Sequence, residues 1–407
     1  MSHVRADLAQ ARRAMDAVLT LVPQGQWLAR PVPERHRLLF YAGHVDAFDW
    51  NLIRSSLGLP AHQASLDRLF AFGIDPKNGD LPDDRPADWP SLRDTVDYAR
   101  TVRRKIDDVM ADIPPVLLHM AIEHRLMHVE TFTYLLHNLP AALPVPAEPA
   151  PFVSPSHFRP HDDEMMVRIP AGTATLGQRR VENGDPERFG WDNEFDCHSV
   201  PVPAFAIDRC KVTNGRYLKF VEAGAEPPHF WRRRGRAWYW RTFTGEIPLS
   251  PEWPVYVTHR EATAYAEWTG RTLPTEAQYH RAAYGTPEGH ERLYPWGSQV
   301  PTPSHGNFDG RWNPVGVAST PLGDSAFGVT QLVGNGWEWT STAFAPFPGF
   351  DPHPCYPGYS AAFFDGEHFV LKGASPATPV RFIRRTFRNW FRDRYPYVYA
   401  SFRCVEP

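Results

Sequence analysis

The stretch Asn138-Leu139-Pro140-Ala141-Ala142-Leu143-Pro144-Val145-Pro146-Ala147-Glu148-Pro149-Ala150-Pro151 divides the chain into two regions of different character. Pro140, Pro144, Pro146, Pro149, Pro151, Pro155 and Pro160 crowd it and the residues just beyond. Each proline fixes φ and removes an amide donor, so neither a helix nor a sheet ladder runs through such a segment. Residues 141–164 read as an extended, semi-rigid linker between a first domain, 1–140, and a second, 165–407.

Working upstream, apolar residues recur at helical spacing in four segments: Ala6 to Leu21, Leu38 to Leu57, Ser91 to Met110 and Pro114 to Leu139. Ser91 followed by Asp94 is a helix start with an acid in the first turn, and Pro114-Pro115 uses the one place where a helix tolerates proline. Four such helices predict an antiparallel bundle. Downstream the period changes. Short β-branched or aromatic runs (Met166 to Ile169, Phe205 to Ile207, Val255 to Val257, Phe369 to Leu371) alternate with glycine, proline and asparagine turns, and two helical segments interrupt them, Asn214 to Glu222 and Arg260 to Thr269. The chain therefore reads as multidomain, α followed by a loop-rich α+β fold.

Composition narrows the function. Of 407 residues, 43 are basic and 46 acidic, a net charge of −3 with no basic stripe, which argues against a nucleic-acid partner. No apolar run approaches the roughly 18 residues of a membrane span. The start, Met1 to Asp7, lacks a basic-then-apolar leader pattern, so the expectation is a cytoplasmic protein with no membrane partner. Cys197, Cys210, Cys355 and Cys404 are too sparse and scattered to staple a chain of this length, and read as reduced thiols. The 42 prolines, 28 glycines and 14 tryptophans point to irregular structure held by aromatic packing.

The chemistry concentrates in His124-Arg125-Leu126-Met127-His128-Val129-Glu130. Histidines four apart share one helix face a turn apart, the spacing by which a helix offers two imidazoles to one metal ion. The same spacing also fits two surface or partly packed histidines. Glu130 lies on another side, so the zinc-protease arrangement is disfavoured. His44 sits in an otherwise apolar stretch of the second helix, where an unpaired ring is costly to bury and a metal would satisfy it. Three histidines without carboxylate or thiolate leave open coordination positions, suiting catalytic zinc or a non-haem iron. His137, nine residues past His128, is too far along the helix to share the ion.

Motifs in fixed order then carry two resemblances. Lys211-Val212-Thr213-Asn214-Gly215-Arg216-Tyr217, Pro254-Val255-Tyr256-Val257, Gly270-Arg271-Thr272-Leu273-Pro274-Thr275-Glu276-Ala277, Tyr294-Pro295-Trp296-Gly297, Gly334-Asn335-Gly336-Trp337-Glu338-Trp339-Thr340-Ser341 and Phe402-Arg403-Cys404 resemble the C-type-lectin-like fold of formylglycine-generating enzymes. The Gly-His of the second helix and the His-x-x-x-His-x-Glu of the fourth resemble DinB-like four-helix bundles. Joined in this order, the two resemble the non-haem iron sulfoxide synthases of ergothioneine biosynthesis and the related ovothiol enzymes.

The resemblance implies iron(II) on His44, His124 and His128, with dioxygen, a histidine betaine (hercynine) and a thiol as small-molecule substrates. It implies Asn389 and Trp390 of Phe387-Arg388-Asn389-Trp390-Phe391 as contacts on a substrate loop. It implies Tyr356, with Tyr359 nearby, as the proton-donating tyrosine, and a structural Ca²⁺ at a Gly-Asn-x-Trp-Glu-Trp loop in some relatives. Three departures bear on the thiol. Met127 stands where many relatives have a substrate-holding glutamine, Phe391 replaces an acid, and Arg35 to Tyr41, Phe72-Gly73-Ile74-Asp75 and Asp88-Trp89-Pro90-Ser91 look more like branches that accept free cysteine. Cysteine is therefore favoured over γ-glutamylcysteine, with Arg85 or Arg394 available to its carboxylate. Formylglycine generation is disfavoured because Lys372-Gly373-Ala374-Ser375-Pro376-Ala377 lacks that activity's cysteine pair. A 5-histidylcysteine sulfoxide synthase, a selenoneine-type carbon–selenium synthase and a non-catalytic ligand-binding module remain as alternatives.

Overall fold

Two helices of the first half are apolar nearly all round, α2 (Leu38–Leu57) and α5 (Pro115–His137), and such helices belong at the centre of a bundle. A computed structural model of the chain describes residues 2–71, 84–140, 142–143, 145, 164–180 and 189–407. Most of the expected linker and the stretch Phe72-Gly73-Ile74-Asp75 lie outside the described residues. Against the central helices pack α1 (Ser2–Leu19), on α5, and the amphipathic α4 (Leu92–Asp108), on α2, while a short α3 (Ala64–Leu69) adjoins α2. The buried face of α4 is Thr95, Tyr98, Ala99, Val102 and Ile106, the i, i+3, i+4, i+7 pattern of a core stripe. Ser91 caps α4 by accepting the Asp94 amide at 3.1 Å, and Pro115 opens α5 as its sequence implied. Helix α3 is an addition to the four expected.

The helical unit ends at Val145 and also takes in Phe189, whose ring stacks on His119 at 5.9 Å. The second unit is built on strands. β1 (Met166–Ile169) pairs with β4 (Phe205–Asp208), which pairs with the terminal β12 (Val405–Glu406); β2 (Gly172–Leu176) and β3 (His198–Val202) form a two-stranded antiparallel pair. After α6 (Asn214–Glu222) comes the meander of β5 (Trp231–Arg234), β6 (Ala237–Arg241) and β7 (Glu246–Pro248), followed by α7 (His259–Trp268) and α8 (Glu276–Tyr284). The main sheet has the order β10 (Asn389–Arg392), β9 (His368–Ala374), β8 (Gly336–Ala343), β11 (Ala400–Ser401), with β11 parallel to β8 and the rest antiparallel. One core unites Ile169, Ala174, Val202, Phe205 and Ile207 of the strands with Tyr279, Ala282 and Ala283 of α8. A fully buried ion cluster holds the centre: Lys211 donates to Glu338 at 2.6 Å, and Arg403 to the same carboxylate at 2.7 Å.

Three local expectations change. Val255 to Val257 is buried but makes only single backbone bonds, to Val212 and Ala400, because Thr258 caps α7 at once and leaves no length for a ladder. Helix α8 was not expected; Thr275 starts it with a capping box to Gln278. Asn389 and Trp390, expected on a loop, open strand β10, where Trp390 registers with Val370.

Candidate metal centre

In the helical unit, α5 presents His124 and His128 one turn apart, their Nε2 atoms facing each other at 3.2 Å. His44 of α2 brings its ring within 5.1 Å of His124 and 4.8 Å of His128, centre to centre. One ligand atom from each ring lies within 4.8 Å of the others, and all three residues are buried. The surface-histidine reading of the i, i+4 pair is thereby excluded. Two nitrogens bound to one ion at about 2.1 Å stand roughly 3 Å apart, so the observed spacing fits a shared metal.

Hydrogen bonding fixes the tautomer of His44. A carbonyl only accepts, so the 2.7 Å contact to the Phe70 carbonyl is a donation from Nδ1, which leaves the Nε2 lone pair pointing inward. Buried, that Nε2 has no hydrogen-bond partner, a costly arrangement unless an ion takes the lone pair. Burial lowers His44 to about 4 and holds His124 and His128 well below the ordinary imidazole value, with the neighbouring rings and Arg125 adding to it. All three are neutral at pH 7, the state in which imidazole binds a metal. The donor set fits a mid-row divalent metal with open positions.

Two further features make the triad possible. Gly43 lies so close to Phe70 that a Cβ there would meet its ring at 2.6 Å, so glycine admits the residue whose carbonyl orients His44. Buried Arg125, next to His124, donates to Asp46 at 2.6 Å and Asp49 at 2.5 Å, both on α2 just beyond His44. Arg103 of α4 joins the same Asp46 at 2.9 Å and Asp16 of α1 at 2.7 Å. This network sets the register of α2 against α5, and therefore where His44 meets the other two rings. Aromatic rings wall the site: Phe48 stacks on His124 at 3.5 Å and Phe40 on His44 at 4.6 Å. The network was missed in the sequence, although acids at 46 and 49 in an apolar helix and an arginine in another are the signal of a buried pair.

Of the other singled-out residues in this unit, Met127 is half-buried beside His128, and Arg85 is exposed, with Asp88 at 3.3 Å. In the second unit, Tyr356, Tyr359 and Trp390 share one aromatic cluster: Tyr356 to Tyr359 is 5.8 Å and Tyr359 to Trp390 5.3 Å between ring centres, and Trp390 stacks on Phe344 at 4.2 Å. Burial pushes the Tyr356 phenol up to about 12, Asp192 contributing second. Asn389 accepts the Trp390 amide, and Arg394 is exposed. A cleft of about 510 Å³ opens elsewhere in this unit, lined by Val200, Glu276, Phe347 and Arg388 among others; neither tyrosine nor Trp390 lines it.

The side chains of the Gly-Asn-x-Trp-Glu-Trp loop offer calcium no unengaged oxygen. Asn335 accepts from the Val315 amide and from Asn307, and donates to Val315 and Gln331, while the Glu338 carboxylate is taken by Lys211 and Arg403. Calcium needs six to eight oxygens, and the side-chain oxygens of this loop are already engaged. None of the four cysteines forms a disulfide.

Residues 153–407 match the sulfatase-modifying factor enzyme 1-like domain, and residues 7–136 the DinB superfamily. Hercynine oxygenase of Mycobacterium tuberculosis is 35% identical over 336 residues, 76% of each chain. Ergothioneine biosynthesis protein 1 of Neurospora crassa is 26% identical over 488 aligned positions, covering 95% of this chain and 55% of that one. The formylglycine-generating enzyme of Streptomyces coelicolor is 30% identical over 279 residues, 56% of this chain and 82% of that one. No helix among the described residues is long and apolar enough to cross a membrane.

Proposed function

The chain belongs to the family of the hercynine oxygenases, its DinB superfamily helices followed by a sulfatase-modifying factor enzyme 1-like domain, and we propose that it is an iron(II)- and dioxygen-dependent sulfoxide synthase of ergothioneine biosynthesis. It joins a thiol, cysteine in preference to γ-glutamylcysteine, to the imidazole ring of hercynine. The observation that carries this reading is the buried triad His44, His124 and His128, three neutral imidazoles converging with no carboxylate among them. These three would hold the iron, which would supply the redox chemistry and lower the proton affinity of the thiol.

The chain's own groups do the rest. Phe40 and Phe48 keep water from the imidazoles and fix their planes. Trp390 offers an aromatic face to the trimethylammonium of the betaine, a cation suited to such rings, and Asn389 adds polar contact. Tyr356 holds its proton through the neutral range and gives it up during bond formation. Arg85 or Arg394, each exposed and bearing the bidentate guanidinium, is available to the carboxylate of the thiol substrate.

The test is anaerobic iron(II) loading, then aerobic incubation with hercynine and either cysteine or γ-glutamylcysteine, reading product mass and dioxygen uptake, with His124→Ala alongside. A sulfoxide adduct that needs iron, forms faster with cysteine and vanishes in the variant is expected. Iron binding without an adduct from either thiol would overturn the substrate assignment. Failure to bind iron would overturn the synthase reading itself.

A further inference from the structure

Beside the turn that carries Tyr356 and Tyr359 runs a segment without an assigned role, Gly190-Trp191-Asp192-Asn193-Glu194. Trp191 lies flat on Tyr359, 3.9 Å between centres at 20°, and edge-on to Tyr356 at 6.5 Å. The next residue in each segment is tied to the other. The Ser360 hydroxyl donates to the Asp192 carboxylate and accepts from the Asn193 side-chain Nδ2 at 2.9 Å. The backbone amide of His353 also supports the Asp192 charge, and the Tyr356 amide donates to the His353 carbonyl at 2.9 Å. Asp192 is therefore bound to the tyrosine turn on both sides of Tyr356. The segment itself is anchored at Glu194, which accepts from Arg384, Thr386 and the Trp191 amide. Asp192 and Ser360 are both buried, where a carboxylate survives only by such bonds.

We propose that Asp192 is a positioning residue for Tyr356: tied to the turn at Ser360 and His353, it fixes the setting of the phenol. This rests on the reading of Tyr356 as the proton donor. Asp192 is the charged group that acts on the phenol. Glu194 is paired with Arg384, Arg388 is engaged by Glu276, and burial keeps His353 neutral. Burial and then the Asp192 charge are what raise the phenol, and burial and the Glu194 charge raise the Asp192 carboxyl in turn.

The experiment replaces Tyr356 with 3,5-difluorotyrosine, whose phenol ionises near neutral pH, in the full chain. The phenol is titrated by ¹⁹F NMR in the metal-free protein, and the pH profile of kcat is recorded in the iron-loaded enzyme. In Asp192→Asn the phenol is expected to titrate about one pH unit lower, with the alkaline limb of kcat moving alike and KM unchanged. Asp192→Glu is expected to restore most of the shift. Ser360→Ala, which keeps the charge and loosens its tether, is also expected to move the titration, and serves should Asp192→Asn not fold. An unchanged titration in the folded variants overturns the proposal. Tyr356→Phe separates the two ideas: full activity there removes the premise, whereas an impaired Tyr356→Phe beside an unshifted Asp192→Asn overturns the role of Asp192 alone.

Discussion

Gly43→Ala tests whether the glycine before His44 is there for the metal site or for the helix. In the interior of α2, alanine is the better helix former by about 1 kcal/mol. Against this, the added methyl would sit 2.6 Å from three carbons of the Phe70 ring, where ordinary contact begins at 3.4 Å. Phe70 is wholly buried and must retreat by roughly 0.8 Å, an overpacking that costs about 1–3 kcal/mol. The two effects partly cancel, so the stability of the metal-free protein falls by only about 0–2 kcal/mol. Metal affinity is the sharper readout. The Phe70 carbonyl that moves with the ring is the group holding His44 Nδ1 at 2.7 Å, and loss of such an orienting bond costs about 10–100-fold in affinity. Urea unfolding of the apoprotein and anaerobic titration with iron(II), or with cobalt(II) as a coloured substitute, measure both. Unchanged affinity with unchanged stability would refute the account of Gly43 and of the His44 tautomer together.

Acid should unfold the metal-free bundle early. His44 has a folded value near 4 against the unfolded 6.5, so between these the unfolded chain binds a proton that the fold refuses; stability is full above pH 6.5 and falls by about 3 kcal/mol toward pH 4 from this residue alone, measured by urea midpoints across that range. Asp46→Asn deprives both Arg103 and buried Arg125 of a partner and should cost about 3 kcal/mol, whereas Asp16→Asn, at a half-exposed carboxylate, should cost under about 1; equal effects would contradict the register role of Asp46. Iron(II) at a hundred times its dissociation constant should stabilise the apoprotein by about 2.7 kcal/mol, reversed by a chelator, and His128→Ala should abolish the gain in a thermal melt. Calcium and EGTA should leave the melting temperature of the His128→Ala protein unmoved, because the Asn335 and Glu338 oxygens are already satisfied within the loop.

The proline-rich stretch reads as a break in regular structure, because proline acts locally on its own backbone whatever surrounds it, but most of it lies outside the described residues. The bundle helices were legible in the apolar period, and Ser91 in its capping chemistry, for the same reason: the cause lies within a few residues of the effect. His124 and His128 could be paired from spacing, since one helix carries both. The spacing left open whether they faced solvent or an ion, because it does not fix burial. His44 was joined to them in the sequence through the resemblance and not through spacing, whereas bringing Trp191 and Asp192 to the tyrosine turn from more than 160 residues away in sequence was a decision of the tertiary structure alone. So was the placing of Asn389 and Trp390 on β10, since that strand exists only by pairing with β9. Contacts of this kind depend on which side chains meet across elements, and a linear pattern records the faces that are apolar without recording which faces meet.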